Sequence, residues 1–198
     1  MKNIRYAAFS IPSVIAFVFV CTLAFSAPAD DDKAAERAKE QDEIRQVVQK
    51  TLQQLYKAQP AAQSIVEHGA GYAVFSNMGI KILFGGSGKG KGIAVDNQTK
   101  KETFMKMVEL QAGLGMGVKK FSVVFVFDND KALNSFVNSG WDFGGQATAA
   151  AKTEDKGGSM AGATSVADGV WMYQMTDKGL AVEITAKGTK YYKDDDLN

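Results

Sequence analysis

Eleven of the chain's 20 glycines fall between Gly69 and Gly117, in clusters such as Gly85-Gly86, Gly88, Gly90, Gly92 and the alternating Gly113, Gly115, Gly117. Glycine at every second position of a strand leaves one sheet face without side chains. That permits tight curvature, or close approach by a helix or another backbone. This one feature limits the chain more than any other: it predicts a sheet, and a strongly curved one.

The surrounding sequence agrees. GYAVFSN, IKILFGG, KGIAVD, TFMKMVELQAG, FSVVFVF, GVWMYQM and GLAVEITAK are short runs rich in Val, Ile, Phe and Tyr, most of them separated by Gly, Asn or Asp. Phe121 to Phe127 is almost wholly apolar, which suits a strand covered on both faces. In Thr103 to Leu110 neither alternating set is purely apolar, so the period there is ambiguous. Helical patterns flank or interrupt the strands. Ile44, Val47, Val48, Leu52, Leu55 and Tyr56 recur at gaps of three and four within an expected helix over residues 33–58. Pro60 ends it or starts a short second helix that runs to about Glu67 and stops at Gly69. Asp128, Asn129 and Asp130 offer N-caps to a third helix with Ala132, Leu133, Phe136 and Val137 on its buried stripe and Gly140 at its end. The expected fold is mostly β (α+β): one antiparallel, barrel-like sheet with about three helices packed outside it.

The N-terminus reads differently. Lys2 and Arg5 precede an apolar run from Val14 to Phe25, and Ala24-Phe25-Ser26 and Ala27-Pro28-Ala29 place small residues where a signal peptidase cuts. The expected organisation is a signal peptide over 1–26, a short acidic linker over 27–32 and one domain over 33–198. An uncleaved anchor beginning near Ala7 is the alternative. Export implies a periplasmic or secreted protein, peripheral on a membrane if it touches one. Cys21 is the chain's only cysteine and lies inside the run, so the mature domain has neither disulfides nor thiolate metal sites.

Catalytic patterns are missing. His68 is the only histidine, beside a helix end, and no His cluster exists for zinc. Gly86-Ser87-Gly88 lacks the spacing of a nucleophile elbow. Gly85, Gly90 and Lys91 imitate a phosphate loop, but Gly92 stands where a hydroxyl must hold magnesium and the following GIAVD reads as a strand, not a helix. The Asp-Asn-Asp run fails as a calcium loop because Ala132 and Asn134 occupy ligand and glycine positions. No enzyme activity and no cofactor are expected.

What the residues do offer is charge segregation. Removing Lys2 and Arg5 with the leader turns the formal charge from +1 to −1, yet residues 81–120 hold eight lysines against three acids. Lys81, Lys89, Lys91, Lys119 and Lys120 are the candidate site residues, with Lys89 and Lys91 on an expected glycine-rich loop whose backbone N–H groups can also approach a phosphate. Such a face attracts an anionic phospholipid or membrane surface, each lysine contributing about 1 kcal/mol. Alternation along strands can equally scatter the lysines as solubilising charges. Nucleic acid fits poorly, since an exported, near-neutral chain lacks the overall basic charge.

Several of these segments resemble the SYLF domain family. Gly71-Tyr72-Ala73-Val74-Phe75-Ser76-Asn77 is similar to its GYAVFPN signature, with Ser76 in place of proline. The glycine block with Lys89-Gly90, then Gln111-Ala112-Gly113-Leu114-Gly115, and Val124 to Phe127 leading to Lys131-Ala132-Leu133 and Phe136, follow in the family's order, closing on Lys178-Gly179-Leu180 and Tyr191-Tyr192. The resemblance implies a small barrel-like core with helices outside and binding of phosphoinositides or other acidic lipids. It also implies a link to actin in eukaryotic relatives that carry a Src-homology module. A structural envelope protein that meets a protein partner through its acidic termini, Asp30 to Asp32 and Asp194 to Asp196, is the alternative role. Neither reading sets an oligomeric state.

Overall fold

A computed structural model describes residues 29–77, 89–109, 121–143, 161–176, 179–180 and 189–198. The expected signal peptide, the IKILFGG run, the alternating glycines 113–117, Lys81, Lys119 and Lys120 lie outside the described residues.

Two helices come first. α1 (Ala29–Ala58) begins at Ala29, so residues 29–32 of the expected linker form its first turn. Ile44, Val48, Thr51 and Leu55 make its buried stripe, while residues 31–39 are exposed. α2 (Ala61–His68) follows Pro60 and buries Ala62 and Val66. Its C-terminal carbonyls do not stay orphaned, because the Asn97 side-chain amide donates to Val66 O at 2.7 Å and Gly69 O at 2.9 Å.

Nine strands follow among the described residues: β1 (Gly71–Ser76), β2 (Lys89–Asp96), β3 (Glu102–Glu109), β4 (Phe121–Phe127), β5 (Trp141–Phe143), β6 (Thr164–Ala167), β7 (Val170–Thr176), β8 (Gly179–Leu180) and β9 (Thr189–Lys193). α3 (Asp130–Ser139) lies between β4 and β5, capped by the Asn129 side chain, which accepts the Ala132 N–H at 2.9 Å. The helix stops at Gly140, whose φ of +69° favours glycine. The sheet order is β5-β9-β3-β2-β1-β4-β7-β6, with β8 also on β7, and every pairing is antiparallel.

The sheet curls into a half-barrel. In that order Trp141 on β5 and Phe125 on β4 are five strand spacings apart, about 24 Å if the sheet were flat. Their rings are 5.4 Å apart. Tyr191 on β9 likewise reaches Phe75 on β1 at 4.7 Å and Phe125 at 5.1 Å, both edge-on. Only an inward-curving face brings these rings together, and edge-on pairs of this kind add about 0.5–1.5 kcal/mol each beyond their buried area. Leu133 and Phe136 of α3 join this concave core. The convex face carries a second core, where α1 and α2 cover Val74, Ile93, Val95, Phe104, Val124 and Val126. β4 is therefore buried at all seven positions, as its composition predicts.

The described glycines show what permits the curl. Gly92 faces the concave side opposite Phe75 and Met105. A Cβ there would overlap the Val74 carbonyl oxygen and stand 2.6 Å from Phe75 Cδ1. Gly90 likewise leaves room for the Met107 side chain. The bare positions of β2 are filled by its neighbours' large side chains.

Candidate functional site

Side-chain alternation along β2 sends Gly90, Gly92 and Ala94 to the concave face and Lys89, Lys91 and Ile93 to the convex one. Lys89 and Lys91 thus stand on a strand, where the glycine-rich composition suggests a loop. Neighbouring strands extend the pattern. Lys91 lies directly across from Lys106 on β3, and Lys106 from Tyr192 on β9. One step along, Lys89 lies across from Val108, and Val108 from Lys190. Four lysines from three adjacent strands therefore share one corner of the convex face, beside Glu40 of α1.

The four differ in their surroundings. Lys89 and Lys190 are exposed and make no ion pair among the described residues. Lys91 pairs with Glu40 of α1 and lies 3.8 Å from Asp194. Lys106 Nζ donates to Asp194 Oδ1 at 2.7 Å and to Asp196 Oδ2 at 2.8 Å. Burial alone would lower the Lys106 pKa, but the hydrogen bonds to Asp194 and Asp196 outweigh it and raise the value above its ordinary 10.5. The same contact holds Asp196 below its ordinary 3.8. Asp194 has no exposed side-chain surface. Its Oδ1 also accepts the Asp196 backbone N–H at 3.1 Å.

This cluster ties the C-terminus to the helix. The Gln41 side chain donates to Leu197 O at 2.7 Å, and Leu197 is buried in the convex core. Asn198 brackets Phe104, its Oδ1 accepting the Phe104 N–H at 3.0 Å while its Nδ2 donates to Phe104 O at 2.8 Å. A second contact at this end of α1 holds Arg45 between Asp42 and Glu102, with its guanidinium 5.2 Å from the Phe104 ring centre. Burial pushes the Tyr56 hydroxyl up to about 12 at the far end of the helix, so it is a neutral packing group there.

Of the five predicted lysines the structure places two, Lys89 and Lys91, side by side on one face. Sequence reading missed Lys190 and left Lys106 unassigned. The signal for Lys106 is its position in an alternating strand. Lys190 becomes visible only once β9 is known to pair with β3. The described residues contain no group of His, Cys, Asp and Glu able to hold a metal. They also contain no helix long and apolar enough to cross a membrane.

Comparison with known proteins bears on the same segments. Over 154 residues the chain is 29% identical to Beta cell expansion factor A of Aeromonas veronii, a match that covers 78% of this chain and 57% of that protein. The chain thus spans little more than half the length of this curated relative. The model of the Ysc84 family, described as Las17-binding protein actin regulator, matches residues 108–198. That stretch runs from Val108 at the lysine corner through β4, α3 and the C-terminal strands to the carboxylate turn. Over residues 108–198 the chain is thus similar to the Ysc84, or SYLF-domain, family.

Proposed function

We propose that the chain is a non-catalytic binding module that docks on anionic phospholipid at a membrane surface outside the cytoplasm. The observation that carries this reading is the placement of Lys89 and Lys190 on one convex corner, exposed and without an ion pair among the described residues, with Val108 between them. Two strand spacings, about 10 Å, separate the lysines, so each can meet a different headgroup phosphate. At about 1 kcal/mol per lysine, the pair alone strengthens attachment roughly thirtyfold. That is weak, reversible binding, which Lys81, Lys119 and Lys120 strengthen if they face the same bilayer. The leader-like residues Lys2, Arg5 and Val14 to Phe25 support an extracytoplasmic site of action.

The test is co-sedimentation with vesicles of phosphatidylcholine, with and without phosphatidylglycerol. The parent should bind only the acidic vesicles and should release as salt rises, because exposed charges are screened beyond about 8 Å at physiological ionic strength. Lys89→Glu with Lys190→Glu should abolish that binding. Lys100→Glu with Lys101→Glu changes the charge equally at the other end of β2, about 25 Å away, and should matter far less. Equal loss in both double variants would reduce the effect to net charge and sink the assignment.

A second reading has one specific support. The family description names a Las17-binding actin regulator, so a protein partner is the competing ligand class. Co-sedimentation of the chain with actin filaments, unaffected by Lys89→Glu and Lys190→Glu, would favour it. N-terminal sequencing of the secreted protein should start near Ala27 or Asp30; an intact Met1 on a cytosolic protein would remove the argument for an extracytoplasmic role.

A further inference from the structure

Lys91 and Lys106 sit directly across from each other, yet each ammonium is already held by carboxylates from distant parts of the chain. These carboxylates are not equivalent. Asp194 is fully buried and is further held by the Asp196 N–H. The side chains of Glu40 and Asp196 are 40% and 85% exposed. Either can swing into water for the loss of one ion pair, exposed for Lys106–Asp196 and part-buried for Lys91–Glu40, and pairs open to solvent are among the weaker interactions in a folded protein. The corner also carries acid. Glu40, Asp194 and Asp196 hold Lys91 and Lys106, Asp142 lies across from Lys190 on β5, and Arg37 of α1 adds a positive charge that acts on Asp196.

We infer that Glu40 and Asp196 are built-in competitors for the anionic ligand: they occupy Lys91 and Lys106 in the free protein and give way to headgroup phosphate oxygens when the corner meets an acidic membrane. The inference rests on the lipid reading of this face and adds its regulation. Carboxylate and phosphate oxygens accept the same charge-assisted hydrogen bonds from an ammonium, so one can replace the other without new geometry. Asp194 stays in place as the anchor of the C-terminal turn. After the exchange all four lysines face the bilayer, whereas beforehand only Lys89 and Lys190 do. Apparent affinity is then a difference between two nearly matched sets of ion pairs, and removing a competitor strengthens binding without adding a contact.

The experiment compares the full chain with Asp196→Asn, Glu40→Gln and the double variant on acidic vesicles of equimolar phosphatidylglycerol and phosphatidylcholine. Asp195→Asn is the control, because Asp195 is exposed, adjacent and makes no ion pair among the described residues. Thermal unfolding of each variant verifies the fold, which Asp194 should preserve. Asp196→Asn and Glu40→Gln should each tighten binding about threefold to tenfold, the double variant more, and Asp195→Asn by clearly less. Equal gains in Asp195→Asn and Asp196→Asn would show a general charge effect and overturn the inference while the lipid reading stands. So would unchanged binding in all three variants beside a parent that binds through Lys89 and Lys190. A parent that fails to bind while the double variant succeeds would overturn the lipid reading of the native face, since the substitutions would then have created the binding. No binding by any variant defeats both. A stability gain in inorganic phosphate, absent in chloride of equal ionic strength and without vesicle binding, would assign the exchange to free phosphate and overturn the membrane as partner.

Discussion

Gly92 is where a single residue decides the shape of the sheet. Glycine-to-alanine replacement usually stabilises a protein by about 0.4–1 kcal/mol when the backbone accepts it, because the unfolded chain loses freedom. At Gly92 the added Cβ meets a backbone carbonyl and the Phe75 ring, so the sign reverses. Gly92→Ala should destabilise by about 1–3 kcal/mol, read as a lower urea midpoint with an unchanged slope. An unchanged or higher midpoint would mean that β2 does not approach β1 this closely. Asp196 gives a second test, with a definite sign. Its folded pKa is lowered by Lys106, so its contribution is present above the ordinary 3.8 and is lost as pH falls through the lowered value. Lys106 is raised, so its contribution is complete below 10.5 and is lost only as pH climbs through the raised value. The clamp is therefore constant across neutral pH. The difference in midpoint between the parent and Asp196→Asn should be flat there and close towards zero in acid; a difference that instead grows in acid would contradict the pairing. At this scale the sequence puts Lys89 and Lys91 together but as loop residues, because the surrounding glycines hide the strand that sets both on one face. Glu40 and Asp194, which decide whether Lys91 is free, are not legible as its partners, because they lie about fifty and a hundred residues from it along the chain.

Elements were more legible than their partners. β4 has no polar face to show to water, and the expectation of cover on both sides holds at every one of its positions. α3 is readable from Asn129 at one end to Gly140 at the other because Asn129 caps with its side-chain oxygen and Gly140 takes a positive φ that favours glycine. β3 explains why the period in Thr103 to Leu110 is ambiguous. Met105 and Met107 enter the concave core, Phe104 enters the convex one, and Lys106 occupies a nominally buried face because Asp194 is there to meet it. β5 and β6 escaped notice since three or four residues carry too little alternation to register. α3 offers the sharpest element-level prediction. Phe136 touches the rings of Phe75, Phe125, Phe127, Trp141 and Tyr191. Phe136→Ala should cost about 3–5 kcal/mol in chemical denaturation, the range for an aromatic removed from a packed core. Phe125→Asp should go further and abolish cooperative folding, because it strands a charge among these rings. A variant with Asp at position 125 and a wild-type midpoint would show that the concave face is not a core.

The whole molecule depends on its last ten residues in a way that strand signals do not reveal. Alternation and turn residues predict that a curved antiparallel sheet exists, but strand order follows from contacts between distant segments. β9 inserts between β3 and β5, and Tyr191 closes the concave core against strands three and four places away. Leu197 and Asn198 then seal the convex core against Phe104, and Asp194 receives Lys106. Removing residues 189–198 leaves β3 with a bare edge, an opened aromatic core and Lys106 without its buried partner. Each of these losses costs several kcal/mol against a total stability of about 5–15 kcal/mol for an ordinary domain. The truncated chain should show no cooperative thermal transition and should bind a hydrophobic dye. The opposite end behaves differently. Residues 31–39 of α1 are exposed, so starting the chain at Glu40 removes helix that buries nothing while keeping the Glu40, Gln41 and Ile44 contacts. That shorter chain should unfold within about 1 kcal/mol of the parent, as surface changes away from packed features do. If it unfolds while the chain lacking residues 189–198 stays folded, the fold is held together from the N-terminal helix, and the C-terminal turn is an ornament of the surface rather than its lock.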